Sequence, residues 1–355
     1  MRVLLYHPFP DPWRQSMRVY ASALARHLPD VASSRARIEA VALDRPHLAP
    51  PLRYFDQYIR YQRLARRMGP GLHHVLDHGF AHLTSALPRR RAIVTFHDAM
   101  PLRTAAASRG TRLALNAGMR RAVEAGARFI TGSAASLHDL QHFYGIDAAA
   151  VAIVPYGVDE AFTPAVDREA LRERLGIHRA AVLIVGHTQA YMNVEGALAA
   201  AAHASRVVDL EVIKIGAPLS VEQGRAAMAA GLDGRLRECG IVSDVDIRAW
   251  YAAADVLLYL PTQSGFGLPV LEAMASGTPV VASATGAVPE VAGDAAMLVD
   301  PVDRPAAGDA LARVLSDAAT RDALRARGLA RAAGFSWRRT AELTWAVYES
   351  VADAA

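Results

Sequence analysis

A chain of 355 residues exceeds one typical domain and fits two of about 150 to 180 residues, each large enough to bury its own core. With 52% hydrophobic and 21% charged residues and no biased tract, the composition excludes a disordered or fibrous chain. The net charge of +4 suits an anionic ligand or membrane surface but, with no nucleic-acid motif beside it, does not indicate a nucleic-acid partner.

The N-terminal run Met1 to Pro8 has neither a long apolar stretch nor a cleavage site, and no run of about 18 apolar residues follows. The single cysteine, Cys239, leaves no internal disulfide, and no Cys/His cluster has zinc spacing, so no cofactor and no metal are expected. The sequence therefore reads as cytoplasmic, with peripheral contact at the inner face of the membrane left open.

Short apolar runs alternate with helical patterns, the mark of stacked βα units and parallel sheets. The first strands are expected at Val3–Tyr6, Ile38–Leu43, His74–Leu76, Ala92–Phe96 and Phe129–Thr131. Between them, Arg53 to Met68 sets Arg60, Arg63, Arg66 and Arg67 among Tyr54, Phe55, Tyr58 and Tyr61. That pattern fits either a basic membrane face or a solvated helix flank. The stretch Val151 to Asp159 ends this series, and Pro and Gly break the chain before Phe162, where a hinge is expected. A second series follows, with strands at Val182–Val185, Glu211–Ile215, Val256–Leu260, Pro279–Ala282 and Met297–Val299. In the tail, Ser336 is a candidate N-cap for a helix whose apolar stripe is Leu343, Val347 and Val351.

The most informative segment is Ser264-Gly265-Phe266-Gly267-Leu268-Pro269-Val270-Leu271-Glu272, directly after the strand ending at Leu260. Its glycines let a backbone approach a ligand, and Pro269 fits a first helical turn whose N–H groups suit phosphate or sugar oxygens. Glu272, about one turn inside, is placed to accept hydrogen bonds from a vicinal diol such as a ribose. The same residues also describe an ordinary strand-to-helix turn. Asp244 and Asp246 form an Asp-x-Asp pair, yet Ser243 before them reads as a helix cap.

The segment resembles the signature of the retaining glycosyltransferases of family 4, where it reads Glu-Gly-Phe-Gly-Leu-Pro-x-x-Glu. Glu272 is the second glutamate; Ser264 stands where the first belongs. The stretches 241–255, 286–293, 335–337, 94–98 and 154–159 resemble the family as well, so the likeness spans nearly the whole chain. The resemblance implies an α/β chain of the GT-B fold: two facing Rossmann-like domains, an interdomain cleft, and a C-terminal helix returning to the first domain. The expected parts are an acceptor-side domain over 1–160, a donor-binding domain over 161–333 and the returning helix over 334–355.

It further implies a hexosyltransferase acting with retention in polysaccharide biosynthesis or a related pathway. The partners are a nucleotide-diphosphate sugar and a glycan, lipid-linked or small-molecule acceptor. Glu272 would hold the donor ribose, Gly265, Phe266, Gly267 and Leu268 would present backbone N–H groups, and Ser264, His187, Asn193 and Val242 would complete the donor side. His97 would be catalytic at the donor sugar, although a histidine at that place also fits a strand-end cap. Gln15, Ser16 and Asp98 would lie on the acceptor side.

Besides Ser264, two segments depart from the family. The loop that usually supplies an Arg after a glycine and a Lys before an Asn has His187 and Met192 there. Losing two charge-assisted hydrogen bonds corresponds to about 3–6 kcal/mol of diphosphate binding. Gln15-Ser16 replaces a Gly-Gly turn, and Arg18 or protonated His187 are the candidate compensating cations. A catalytically weakened binding or partner subunit is therefore the rival expectation.

Overall fold

The computed structural model describes residues 1–9, 15–43, 50–104 and 107–354. The chain forms two compact units, Met1–Gly157 with Trp337–Ala355, and Val158–Ser336. The sequence placed these boundaries at 160 and 333.

The first unit runs β1 (Arg2–Tyr6), α1 (Gln15–Val31), β2 (Arg37–Val41), α2 (Pro50–Phe55), α3 (Tyr61–Arg67), β3 (Leu72–Val75), β4 (Ala92–Phe96), α4 (Met100–Arg103), α5 (Arg109–Glu124), β5 (Arg128–Thr131), α6 (Ala134–Tyr144) and β6 (Val151–Ile153). The second runs α7 (Arg168–Arg174), β7 (Ala180–Val185), α8 (Val194–Ala204), β8 (Leu210–Ile215), α9 (Val221–Ala227), β9 (Leu236–Gly240), α10 (Asp244–Ala253), β10 (Val256–Tyr259), α11 (Leu268–Ala275), β11 (Val280–Ser283), α12 (Val288–Ala292), β12 (Met297–Val299), α13 (Arg304–Ser316) and α14 (Ala318–Ala332). Helix α15 (Trp337–Asp353) belongs to the first unit.

Both sheets have six strands, in the orders β2-β1-β3-β4-β5-β6 and β12-β11-β10-β7-β8-β9, and every pairing is parallel. Helices cover both faces, which is why central strands such as β4 and β10 are buried along their whole length and read as unbroken apolar runs. Order reverses between β1 and β3 in the first sheet and between β7 and β10 in the second. In open sheets, ligand sites form outside the strand ends at such reversals.

Three sequence expectations shift. Strand β2 ends at Val41, short of Leu43. Strand β9 went unread because Leu-Arg-Glu-Cys-Gly is a polar, half-exposed edge strand with little apolar signal. In α15 the buried face is Trp337, Thr340, Ala341, Thr344, Trp345, Tyr348 and Val351, while Leu343 and Val347 are only half-buried. Two tryptophans and a tyrosine outweigh the aliphatic stripe, because aromatic side chains bury more area. The Tyr348 hydroxyl also meets Nδ1 of buried His74 at 2.7 Å, which fixes the helix on β3.

Helices α2 and α3 are joined by a π-helical turn, Asp56–Arg60. Tyr61 anchors the stretch, its single hydroxyl proton shared between the carbonyls of Val41 at 2.7 Å and His7 at 2.8 Å. Leu52, Tyr54, Phe55 and Ile59 remain exposed.

Candidate functional site

Strands β7 and β10 are neighbours whose chains depart in opposite directions, so the loops 186–193 and 260–267 leave adjacent strand ends at the reversal of the second sheet. The two loops are tied together. Thr262 N–H donates to the Tyr191 carbonyl at 2.8 Å. Asn193, in the left-handed region at φ 50°, sends its side-chain amide to the carbonyls of Leu260 at 3.0 Å and Pro301 at 2.8 Å. Asn193 thus acts as a strut beneath the loops.

The second loop ends at Gly267, whose φ of +100° strains any other residue, and α11 starts with Pro269 in its first turn. Phe266 is buried with its ring toward Phe335, at 6.4 Å between centroids. The Ser264 carbonyl accepts from Ala287 N–H at 3.0 Å. Gly286 permits this approach, since a Cβ there would stand 2.5 Å from the Ser264 oxygen. The Ser264 hydroxyl lies 3.5 Å from the Tyr259 hydroxyl.

Glu272 lies one turn into α11. Its Oε2 accepts from the hydroxyl of fully buried Tyr251 on α10 at 2.7 Å. Burial pushes the carboxyl up to about 7; the charge of Asp244 adds to this and the Tyr251 hydrogen bond opposes it. A carboxylate so placed has acceptor capacity for a pair of hydroxyl donors.

Loop 186–193 presents no arginine or lysine. His187 is half-buried, its Nε2 2.8 Å from the Tyr191 hydroxyl and its Nδ1 accepting from Gln189 N–H at 3.4 Å. Met192, also half-buried, packs on the core formed with α8 and α13. Its methyl stands 2.8 Å from the place a Gly186 Cβ would occupy. Val242 is half-buried in the short connection between edge strand β9 and α10, the helix that carries Tyr251. Ser243 caps α10, accepting from Asp246 N–H at 3.1 Å and donating to its carboxylate at 2.7 Å, so Asp246 serves the cap.

In the first unit, His97 follows β4 and is 6% exposed. Its Nε2 lies 2.9 Å from the Leu76 carbonyl, an obligate acceptor, so that nitrogen carries the proton and Nδ1 accepts from the Tyr156 hydroxyl at 2.7 Å. This is the geometry of a strand-end cap, held from both ring nitrogens. Asp98 accepts from Met100 N–H at 2.9 Å at the start of α4. Ser16 and Arg18 are exposed in the first turn of α1, which Gln15 opens; the Gln15 side chain lies outside the described residues.

Two residues the sequence did not single out belong to this geometry. Tyr251 gave no signal of its own, being one of two adjacent aromatics, with Trp250, in a helix of mixed polarity. Lys214 did give one, a charged residue inside the otherwise apolar end of β8.

Residues 15–162 match the family model Glycosyltransferase Family 4, and residues 179–317 match Glycosyl transferases group 1. O-antigen chain mannosyltransferase B of Escherichia coli is 42% identical over 117 residues, 33% of this chain and 31% of that protein. D-inositol 3-phosphate glycosyltransferase of Kineococcus radiotolerans is 34% identical over 255 residues, 65% of this chain and 59% of that protein. The chain thus spans from under a third to about three-fifths of these relatives' length. Sucrose-phosphate synthase from Thermosynechococcus elongatus superposes with a TM-score of 0.77 at 18% identity, covering 100% of both chains. Anabaena Alr3699/HepE, solved in complex with UDP and glucose, gives 0.78 at 18% identity, covering 99% of both. The chain therefore carries the two Rossmann-like units of the GT-B fold, the segment 15–162 matching one glycosyltransferase family model and the segment 179–317 another.

Proposed function

We propose that the chain is a glycosyltransferase that binds a nucleotide-diphosphate sugar on its second unit and transfers a hexose-type sugar, with retention, to a hydroxyl of a glycan, lipid-linked or small-molecule acceptor. The observation that carries this reading is Glu272, a carboxylate one helical turn beyond the Gly267 turn, at the strand reversal between β7 and β10. The start of α11 offers backbone N–H groups and the positive end of a helix dipole to phosphate, and Glu272 offers acceptors to ribose hydroxyls. Relatives named for mannosyl and inositol-phosphate glycosyl transfer, and a GT-B neighbour solved with UDP, support the same substrate class.

In the proposed reaction the bond from the anomeric carbon to the diphosphate oxygen breaks and a bond to the acceptor oxygen forms on the same face. The acceptor proton passes to the departing diphosphate. The protein's work is then positioning and stabilisation of charge on the leaving group. The first unit is assigned the acceptor, with Gln15, Ser16 and Asp98 on that side; His97 would serve the reacting sugar only by giving up its bond to the Leu76 carbonyl or the Tyr156 hydroxyl. No step is assigned to a metal.

A second reading, a binding or partner subunit with weakened chemistry, is favoured by one specific observation: Met192, where the family pattern has lysine, packs into the core of the second unit. Titration of UDP, GDP, ADP and their sugars, followed by a donor-hydrolysis assay, separates the two. The enzyme binds one base class at micromolar to millimolar concentration, turns its sugar over, and loses both on Glu272→Ala. Binding without turnover supports the weakened subunit, and flat titrations across the panel refute the enzyme.

A further inference from the structure

The loop after β7 holds no Arg or Lys of its own, yet a cation stands directly against it. Lys214 lies near the end of β8, on the face it shares with Leu210 and Val212, and is 1% exposed. Its Nζ donates to three backbone carbonyls, Gly186 at 2.7 Å, Ile215 at 3.0 Å and Ala217 at 3.0 Å. Gly186 is the first residue of the loop, and its own N–H donates to the Ile215 carbonyl at 2.9 Å. Gly216 makes the approach possible, because a Cβ there would stand 2.3 Å from the Gly186 oxygen. Two glycines and one lysine therefore form a single device that fixes the peptide joining Gly186 to His187. In a trans peptide the C=O and N–H point in opposite directions. With the Gly186 oxygen turned to the ammonium, the His187 N–H is turned away from it.

Composition gives this lysine further weight. The chain has 39 lysines and arginines, and Lys214 is its single lysine. Every other side-chain cation of that kind is an arginine. Three carbonyls converging on one point suit a compact tetrahedral ammonium and not a planar guanidinium. Burying that charge carries a desolvation cost that hydrogen bonds only partly offset. Burial lowers the Lys214 amine to about 8, with Glu238 opposing, so at neutral pH it stays mostly charged.

We propose that Lys214 is the positioning residue for the donor diphosphate: it holds the Gly186–His187 peptide with its N–H toward the anion, and it supplies from beneath the loop the positive charge that Met192 does not supply from within it. The inference rests on the donor-site reading above and adds a named cation to it.

The test uses the full chain and two probes of each base class, the nucleoside diphosphate and the nucleoside. Lys214→Met should weaken diphosphate binding about tenfold or more while leaving nucleoside binding within about twofold, because only the anion senses the lost charge and loop geometry. Lys214→Arg should recover only part of the loss. Because one lysine is present, protein labelled with nitrogen-15 at the lysine side chain reports this site alone. Its resonance should shift on adding the diphosphate and not the nucleoside. A folded Lys214→Met protein with an unchanged diphosphate-to-nucleoside ratio overturns the proposal; should that variant fail to fold, an unmoved wild-type lysine resonance at saturating diphosphate overturns it instead. Wild-type protein that binds no nucleotide at all brings down the donor-site reading with it, whereas a clear diphosphate preference with an indifferent Lys214 removes this inference alone.

Discussion

Glu272 shows how a single side chain couples ligand binding to pH. Its folded value is raised to about 7, so the folded state binds more protons than the unfolded one between about 4.5 and 7. The stability it contributes is present in full below the lower value and is lost as pH rises through the upper one. Ribose hydroxyls call for the ionised form, so affinity moves the other way. Nucleotide binding should be about tenfold weaker at pH 6 than at pH 8, the ratio of ionised fractions around a midpoint of 7. Calorimetric titration at several pH values checks this, with Glu272→Gln as the control; a variant that keeps the wild-type slope would place the titrating group elsewhere. Glu272 and the Gly267 turn were legible because their chemistry is local in the chain. The partners that tune the site were not, because Tyr251 lies 21 residues from Glu272 and Lys214 lies 28 residues from Gly186. Local periodicity does not pair them; the packing of α10 on α11 joins the first and the pairing of β7 with β8 the second.

At the level of elements, the stretch from α2 through α3 has two unlike sides, and they bear on the two alternatives its sequence left open. Tyr61 is fully buried and Asp56 pairs with Arg60 at 3.2 Å, which makes one side part of the first unit's packing. On the other, Leu52 and Tyr54 are 55% and 54% exposed, Phe55 and Ile59 are exposed as well, and Arg63, Arg66 and Arg67 follow on α3. Apolar side chains beside clustered arginines suit an anionic lipid surface, where each cation contributes about 1 kcal/mol. We therefore expect co-sedimentation with vesicles containing phosphatidylglycerol and little with phosphatidylcholine alone. Replacing Arg63, Arg66 and Arg67 by Ala should weaken binding by about 3 kcal/mol at low salt. Equal partition onto both vesicle types would rule out the charge component. Strand β9 and the buried face of α15 mark the limit of periodicity at this scale. An edge strand needs few apolar residues, and a helix with three large aromatics on one side can bury them in preference to a more regular aliphatic stripe.

For the molecule as a whole, alternation of apolar runs and helical segments was enough to yield two Rossmann-like units, since the central runs are strands buried on both faces by the helices beside them. What alternation leaves out is strand order, and strand order decides where a ligand meets the protein. The second sheet reverses between β7 and β10, and the parts assigned to the diphosphate and ribose gather there: loop 186–193, loop 260–267, the start of α11, and Lys214 from β8 next door. A ligand that binds only the folded state adds about 2.7 kcal/mol of stability at a hundredfold excess over Kd. Local openings of the segments it touches should be suppressed by a comparable amount. Hydrogen exchange on the intact chain, with and without saturating nucleoside diphosphate, should therefore show slowed exchange at 186–193, 214–217 and 260–272. The strands of the first sheet should exchange at unchanged rates. Protection concentrated instead around β1 and β3, where the first sheet reverses, would move the donor to the other unit and with it the roles assigned to Glu272 and Lys214.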